Sequence, residues 1–168
     1  MNYASLDLNA VWFVLVGVLF TGYALLDGFD LGVGALHLFT RKDEHRRIML
    51  NAIGPVWDGN EVWLVTGGGA LFAAFPMVYA TVFSGFYLAF VLLLVALIFR
   101  AVAIEFRSKQ PMRWWRQMWD IGFAAGSIGS SLLIGVAMGN IAWGVPLDAQ
   151  HEFVGSFLTL LHPYALLL

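Results

Sequence analysis

The sequence predicts an all-α integral membrane protein with a first transmembrane four-helix bundle and the start of a fifth span. Hydrophobic residues make up 60% of the chain and charged residues 12%, whereas about half of the residues of a typical soluble domain are apolar. The apolar residues also come in long runs without charge, close to the ~20 residues that a helix needs to cross a bilayer. Nothing in this composition indicates a nucleic-acid partner.

The first run, Leu8–Leu26, contains no charge and predicts the first transmembrane helix. A secretory signal would have a basic leader and a small-residue cleavage site, which are not found here, so we interpret the run as a permanent span. The apolar pattern resumes after Asp27–Asp30 as Leu31–Thr40, which makes the helix about 45 Å long. A helix of this length can tilt, bend at its glycines or protrude beyond the bilayer, and the sequence leaves all three open.

Three further spans are predicted, and Pro76 with Met77 forms a tight turn between the first two of them. They are Pro55–Phe75, Val78–Arg100 and Ile121–Leu147. A fifth apolar run, Phe153–Leu168, is shorter than one bilayer crossing. We therefore expect residues 1–152 to form the bundle, residues 153–168 to be the truncated start of a fifth helix, and the chain to be one piece of a longer or split protein.

Orientation follows from the basic residues, because short loops rich in Lys and Arg stay on the cytoplasmic side. All nine Lys and Arg residues lie in Arg41–Arg47 and Arg100–Arg116. Four spans put both stretches on one side of the membrane. We expect them to be cytoplasmic loops and the N-terminus to be outside.

Four acids interrupt the apolar segments, and they are the candidate functional residues. Asp27 and Asp30, like Asp58 and Glu61, stand at i and i+3, so each pair shares one helix face. A carboxylate at the membrane centre costs about 3 kcal/mol by insertion scales, which favours a functional role. With cytoplasmic basic loops, Asp58 is nearest the inner surface and Glu61 one turn deeper. Such a file of acids is typical of a proton path.

Simpler structural roles are also open to these acids. Asp58 lies where a helix begins, and acids are favoured there for capping and dipole reasons alone. Glu61 could instead pair with Arg100 or with an arginine of the basic loops. Trp57 and Trp63 are six residues apart and do not share a face, so one of them is expected to face lipid or a neighbouring subunit.

The remaining residue types give little support for a bound metal or cofactor. With no cysteine there is no disulfide and no thiolate site for zinc or an iron–sulfur cluster. His37 extends the face of Asp27 and Asp30, but no second histidine stands at ligand spacing, and we interpret it as an interfacial or hydrogen-bonded histidine and not as a metal ligand. Gly67–Gly69 lacks the following Lys-Ser/Thr of a phosphate loop and indicates close helix packing.

Several segments resemble one family across nearly the whole chain and in the same order. They are DGFDLGVG, RRIMLNAIGPVWDGNEVWLVTGGGALFAAFPMVYA, SGFY, the FR and RSK residues around and after Arg100, MWD and IGVAMGN. The chain is identified by them as similar to subunit II of the cytochrome bd-type quinol oxidases, whose subunit II is about twice as long.

The resemblance implies a respiratory heterodimer of the bacterial inner membrane that oxidises quinol and reduces dioxygen to water. Haems b and d and the quinol-oxidation site would belong to the partner, subunit I, and small accessory subunits and lipids are further possible partners. Subunit II would support assembly and help to form the proton and oxygen routes. Carried over to this chain, Asp58 with Asp27 or Asp30 would serve the proton route, Trp63 the oxygen entrance, and Trp57 and Arg100 the interface region.

Two different functions stay open from the sequence. A proton-coupled transporter also uses buried acids, and it would show inverted repeats with broken helices at matching positions. A purely structural subunit would instead use the acids in salt bridges with Arg100 or with its partner.

Overall fold

The computed structural model describes residues 7–167. Residues 1–6, the N-terminus predicted to be outside, and Leu168, the end of the predicted fifth run, lie outside the described residues. The helices are α1 (Leu8–His37), α2 (Asp43–Ile53), α3 (Trp57–Ala74), α4 (Pro76–Gly85), α5 (Tyr87–Phe106), α6 (Arg113–Trp143) and α7 (Pro163–Leu167). Two 3₁₀ turns span Arg107–Lys109 and Phe157–Leu160. Between residues 7 and 167, the β pairing is limited to one isolated bridge, Leu147 with Phe153.

Helix α1 is a continuous helix of 30 residues that buries one polar stripe. It begins where the Asp7 carboxylate accepts a hydrogen bond from the Asn9 backbone N–H at 3.0 Å, which satisfies one of the free donors of the first turn. The stripe runs at helical spacing through Tyr23, Asp27, Asp30, Gly34 and His37. The predicted shared face of the two aspartates is therefore present and points into the protein.

Three helices of the described chain are long and apolar enough to cross a membrane: α1, α5 with the turn that follows it, and α6. Helix α3 has 18 residues, but Asp58, Asn60 and Glu61 make its first turns polar. The prediction of an all-α membrane protein is confirmed, whereas the bundle of four complete spans is not.

The predicted third span, Val78–Arg100, is divided in the structure. Helix α4 ends at Gly85, and α5 starts at Tyr87. Between them the buried Phe86 leaves helical geometry, with φ −100° and ψ 18°. The ring of Phe153 lies directly against Gly85. The helix therefore breaks next to Gly85, where a side chain would collide with Phe153.

The predicted basic loops are shorter than expected because helices extend into them. Helix α2 begins at Asp43, and its first turn contains Asp43 and Glu44, which suit the positive end of the helix dipole. In the second stretch, α5 continues six residues past Arg100 and α6 starts at Arg113. Arg100, predicted as the last residue of the third span and the first residue of the basic stretch, therefore lies inside a helix.

The fifth helix was predicted to start at Phe153, which is too early. The chain after Phe153 forms a 3₁₀ turn, and α7 starts only at Pro163. Proline suits the first position of a helix because its missing N–H would be unpaired there. The Asn140 side chain holds this segment against α6, since its Nδ2 donates to the Leu160 carbonyl at 2.6 Å.

Small residues set the helix packing. Helix α6 packs against both α5 and α1, and α3 packs on α1. Gly126 lies against the α5 backbone at Ala96 and Arg100, and Gly139 lies against Ala165 of α7. Close approach at small residues is typical of helix association in membranes, where lipid is as apolar as the helix surface.

The distribution of polarity is inverted relative to a soluble protein. Many large apolar side chains point outwards, among them Phe13, Phe29, Val65 and Leu94. The buried set is instead rich in polar and charged residues: Asp27, Asp30, His37, Arg100, Arg107, Asp120, Ser127, Ser130 and Asn140. A lipid environment explains both features, because it accepts the outer surface and makes unpaired charge costly there.

The glycine contacts give a testable consequence. A methyl group at Gly126 would lie 2.5 Å from the Ala96 carbonyl oxygen and 2.9 Å from the Arg100 backbone nitrogen, neither of which can move alone. We expect Gly126→Ala to reduce the free energy of unfolding by about 1–3 kcal/mol, as overpacked cores do. The measurement is the thermal unfolding midpoint in detergent.

Gly129→Ala on the same helix is the matched control, because its methyl group would meet Ala96 Cβ at an ordinary 3.6 Å. This variant should be neutral or stabilised by up to about 1 kcal/mol through helix propensity. Equal midpoints for the two variants would contradict the packing described here.

Candidate functional site

Arg100 lies at the centre of a buried ionic group in the apolar part of the fold. Its side chain is fully buried. Its two terminal nitrogens donate to the two oxygens of Asp27, Nη1 to Oδ2 at 3.0 Å and Nη2 to Oδ1 at 2.5 Å. This is the two-pronged arrangement in which the planar guanidinium matches a carboxylate. It joins α5 to α1.

Two more acids face the same guanidinium. Nη1 of Arg100 also donates to Glu61 Oε1 at 2.6 Å, and Nη2 lies 3.8 Å from Asp30 Oδ2. Asn60 Nδ2 donates to the same oxygen of Asp30 at 2.8 Å. We call these five residues the Arg100 cluster. It brings together three of the four predicted acids, and it confirms the pairing of Glu61 with Arg100 that the sequence left open.

The cluster has more acids than cations. Arg100 supplies one positive charge, and Asp27, Asp30 and Glu61 supply up to three negative charges. Asp27 and Asp30 are buried, whereas 22% of the Glu61 side chain is exposed. The single guanidinium therefore cannot balance the charge of all three carboxylates when they are ionised.

The other predicted site residues lie outside this cluster. Asp58 is in the first turn of α3 and is exposed. Trp57 is half-buried next to it. Trp63 is also half-buried, and its indole lies directly over Gly22 of α1, so it fills the contact between α1 and α3.

A second ionic group lies at the other end of the polar stripe of α1. The buried Asp120 of α6 accepts hydrogen bonds from His37 Nε2 at 2.5 Å, from Arg46 Nη1 at 2.6 Å and from Arg107 Nε at 2.5 Å. We call these four residues the Asp120 cluster. It ties α1, α2, α6 and the end of α5 together. His37 is therefore a hydrogen-bonded histidine, and its partner lies 83 residues away in the sequence.

Asp43 extends the Asp120 cluster to the surface. Its carboxylate is 46% exposed and accepts from Arg107 Nη2 at 2.6 Å and from Arg116 Nη1 at 3.1 Å. The hydrogen bond from Arg107 is the main cause that holds the pKa of Asp43 below its usual value; partial burial opposes it, and the charges of Arg107 and Arg116 add to it. Both basic stretches of the sequence therefore meet at one end of the fold.

The Asp120 cluster was not predicted from the sequence. Asp120 stands one residue before the predicted fourth span, at its edge. A single acid beside Trp119, followed by a long apolar run, was the available signal. Its partners come from segments 13 to 83 residues away, and no spacing rule connects them.

The described residues offer no obvious metal centre. Among residues 7–167, no three or more His, Cys, Asp or Glu side chains are arranged to hold a metal ion. His37 Nε2 is in contact with Asp120.

Removing the central cation should be far more damaging than removing a surface cation. Arg100→Met leaves buried carboxylates without a partner, which costs about 3–5 kcal/mol when a buried pair is broken. The exposed Lys109→Met is the matched control and should change stability by less than about 0.5 kcal/mol. The measurement is the yield and the thermal unfolding midpoint of the folded chain in detergent.

The pairing itself can be tested by a double-mutant cycle. Adding Asp27→Asn to Arg100→Met removes one of the stranded charges, so the double variant should be more stable than the sum of the single losses by about 0.5–3 kcal/mol. Additive losses would show that the two side chains do not depend on each other.

The Asp43 contact predicts a dependence on pH. A carboxyl whose pKa is lowered by folding adds stability above its unfolded value of about 4, and this stability is lost as the pH falls through the lower folded value. Asp43→Asn should therefore lower the unfolding midpoint at pH 6, and the difference from the parent should shrink below about pH 4. Glu44→Gln, a neighbour with no ion pair among residues 7–167, should show no such trend. A constant difference for Asp43→Asn from pH 3 to 6 would contradict the prediction.

Comparison with known proteins gives a consistent family. The family model for cytochrome bd terminal oxidase subunit II matches residues 8–168. The chain is 53% identical over 165 residues to cytochrome bd-I ubiquinol oxidase subunit 2 of Escherichia coli strain K12, covering 95% of this chain and 44% of that protein. It is 50% identical, with the same coverage, to the probable cytochrome oxidase subunit 2 of Haemophilus influenzae.

A less similar relative gives the same result. The chain is 45% identical over 158 residues to cytochrome bd ubiquinol oxidase subunit 2 of Bacillus subtilis, covering 92% of this chain and 47% of that protein. The chain thus spans somewhat less than half the length of these relatives. Because the family model covers nearly all of it, the chain belongs to the cytochrome bd terminal oxidase subunit II family.

Proposed function

We propose that this chain is part of the non-haem subunit of a respiratory quinol oxidase that oxidises quinol and reduces dioxygen to water. The chain would stabilise the haem-bearing subunit and carry protons from the cytoplasm towards the oxygen chemistry in that partner. Family membership supports the type of complex, since the relatives are named as subunits of ubiquinol oxidases. The proton role rests on the residues of this chain.

The observation that carries the proton role is the excess of acid in the Arg100 cluster. Three carboxylates face one guanidinium in the apolar part of the fold. When all three are ionised, the group has two uncompensated negative charges, and binding a proton removes one of them. Proton exchange is therefore the chemical change that this cluster makes most easily.

The exposure of the acids supports a direction for the route. Asp58 is exposed in the first turn of α3, and Glu61 is three residues, or about 4.5 Å, further along the helix. Glu61 is the partly exposed member of the cluster, whereas Asp27 and Asp30 are buried. We propose that Asp58 collects protons, that Glu61 passes them inwards, and that Asp30 and Asp27 receive them.

The orientation is part of the proposal. Asp43 pairs with both Arg107 and Arg116, so the two basic stretches share one end of the fold, and Asp148 and Glu152 lie in the loop after α6. By the positive-inside rule this favours a cytoplasmic basic end and an outer N-terminus in the bacterial inner membrane. On the same basis Asp58, close to the end of α2, would be open to the cytoplasm.

The partners and the oxygen route are proposed on family grounds together with the surface of α3. Haems b and d and the quinol site would lie in subunit I, with small accessory subunits and lipids as further contacts. Helix α3 buries only Gly67 among its residues. Its half-buried Trp57 and Trp63 are therefore available for the subunit interface, and Trp63, between α1 and α3, for the oxygen route.

A purely structural role is the second candidate, and the two-pronged contact of Arg100 with Asp27 favours it. Ion pairs of this kind fix helix positions whether or not protons move through them. The two functions differ in what happens to the turnover of the assembled enzyme when an acid is neutralised.

Neutralising Asp58 and Glu61, the acids at the proposed proton entry, distinguishes the proton role from the structural role. In the full-length chain assembled with its partner, Asp58→Asn and Glu61→Gln keep size and hydrogen-bonding groups but cannot exchange a proton. We expect quinol oxidase turnover and proton uptake to fall by about tenfold or more, since a proton-transfer group contributes ~10²–10⁴-fold to a rate. The haem content of the purified complex should be unchanged.

Glu152→Gln, an exposed acid of the loop after α6, is the matched control and should have normal turnover. Full turnover and proton uptake in both acid variants would refute the proton role. Loss of assembled complex with normal turnover per haem would establish the structural role instead.

A further inference from the structure

A line of buried polar groups connects the Asp120 cluster to the Arg100 cluster along the contact between α1 and α6. The C-terminal end of α1 meets the N-terminal part of α6 where His37 contacts Asp120, so the two helices run antiparallel. Moving away from that contact, Gly34 of α1 meets the Ser127 side chain. We call this contact, with His37, Gly34, Ser127 and Ser130, the α1–α6 seam.

The seam reaches the level of Arg100. Gly126, next to Ser127 on α6, lies against the backbone nitrogen of Arg100. Ser130 is one turn further along α6, and on α1 the residues beyond Gly34 in that direction are Asp30 and Asp27. Ten residues of α6 separate Asp120 from Ser130, which is about 15 Å along the helix. The two clusters are thus the two ends of one short polar line.

The polar atoms along this line lack hydrogen-bond partners among the described residues. Ser127 and Ser130 are fully buried, and their hydroxyls make no hydrogen bond. The same holds for His37 Nδ1. Serine hydroxyls inside helices commonly donate to the carbonyl four residues earlier, as Ser131 does to Ser127 at 2.9 Å. Ser127 and Ser130 do not, so their hydroxyls are free for another ligand.

Water is the ligand that fits such a set. Buried polar groups are nearly always hydrogen-bonded, and where protein partners are missing, ordered water takes their place. A hydroxyl can accept one hydrogen bond and donate another, so alternating serines and waters form a continuous hydrogen-bonded chain. Ser127 and Ser130, three residues apart on one helix face, have the spacing for this.

We propose that the α1–α6 seam holds ordered water and passes protons from the Asp120 cluster to the Arg100 cluster. It would be a second branch beside Asp58 and Glu61, and it rests on the proposed proton function. His37 Nε2 is fixed by Asp120, which leaves Nδ1 to accept a proton from water and to release it again. Each serine hydroxyl accepts one proton and donates its own to the next oxygen, and Asp30 or Asp27 receives the last one. No bond other than O–H or N–H changes.

The test is the Ser127→Ala/Ser130→Ala double variant in the full-length chain assembled with its partner. Alanine removes only the hydroxyls and favours the helix, so assembly and haem content should be normal. We expect turnover and proton uptake to fall by about tenfold. Ser131→Ala on the same helix is the matched control, because its hydroxyl already bonds to the backbone, and it should be unchanged. A double variant as fast as this control would overturn the proposal.

Two further measurements address the water and the histidine. A high-resolution structure of the assembled parent complex should show ordered water within hydrogen-bonding distance of Ser127 Oγ and Ser130 Oγ, and a dry contact there would overturn the proposal. His37→Gln keeps an N–H donor for Asp120 but removes the nitrogen that exchanges protons. It should slow proton uptake as the double variant does, with thermal stability close to that of the parent.

The outcomes separate this proposal from the one on which it rests. If Glu61→Gln is slow and the serine double variant is normal, the seam is refuted and the proton role of the Arg100 cluster stands. If both are normal, both proposals are refuted. If both are slow with full haem content, both are supported.

Discussion

The pairing of Arg100 with Asp27 is the contact on which the membrane part of the fold depends. Burying a guanidinium in an apolar environment costs free energy unless a carboxylate pairs with it. Because the planar fork of Arg100 takes both oxygens of Asp27, it fixes the rotation and depth of α5 relative to α1. Glu61 then fixes α3 against the same group. Three helices that expose apolar side chains on their outer faces are thus positioned by one polar contact at their centre.

The small residues of α6 make this contact possible. Gly126 allows α6 to lie against the backbone at Arg100, and Gly34 of α1 makes room for Ser127. A side chain at either glycine would separate helices that the ionic clusters must hold together. In a membrane, apolar area gives little preference for one helix contact over another. The specificity of this fold therefore comes from close backbone approach and from charge pairing, which require each other here.

The sequence predicted the features that depend on neighbours along the chain. The length of the apolar runs predicted the membrane helices α1 and α6. The spacing of three residues between Asp27 and Asp30 predicted that they share one helix face. Helix α2 was missed because a run of charges is also typical of a loop, and the break at Phe86 was missed because it depends on packing against Phe153. The clusters themselves join residues as far as 83 positions apart. Which acid meets which cation is decided by the helix packing, and a single sequence does not contain that information.

The two clusters differ in the sign of their excess charge, which is positive in the Asp120 cluster and negative in the Arg100 cluster. The Asp120 cluster, counted with Asp43 and Arg116, has three arginines against two acids. The Arg100 cluster has three acids against one arginine. A positive charge placed between them is repelled by the first and attracted by the second, and at low dielectric this field acts over several ångströms with little screening. An excess proton in the α1–α6 seam would therefore move towards Asp27 and Asp30.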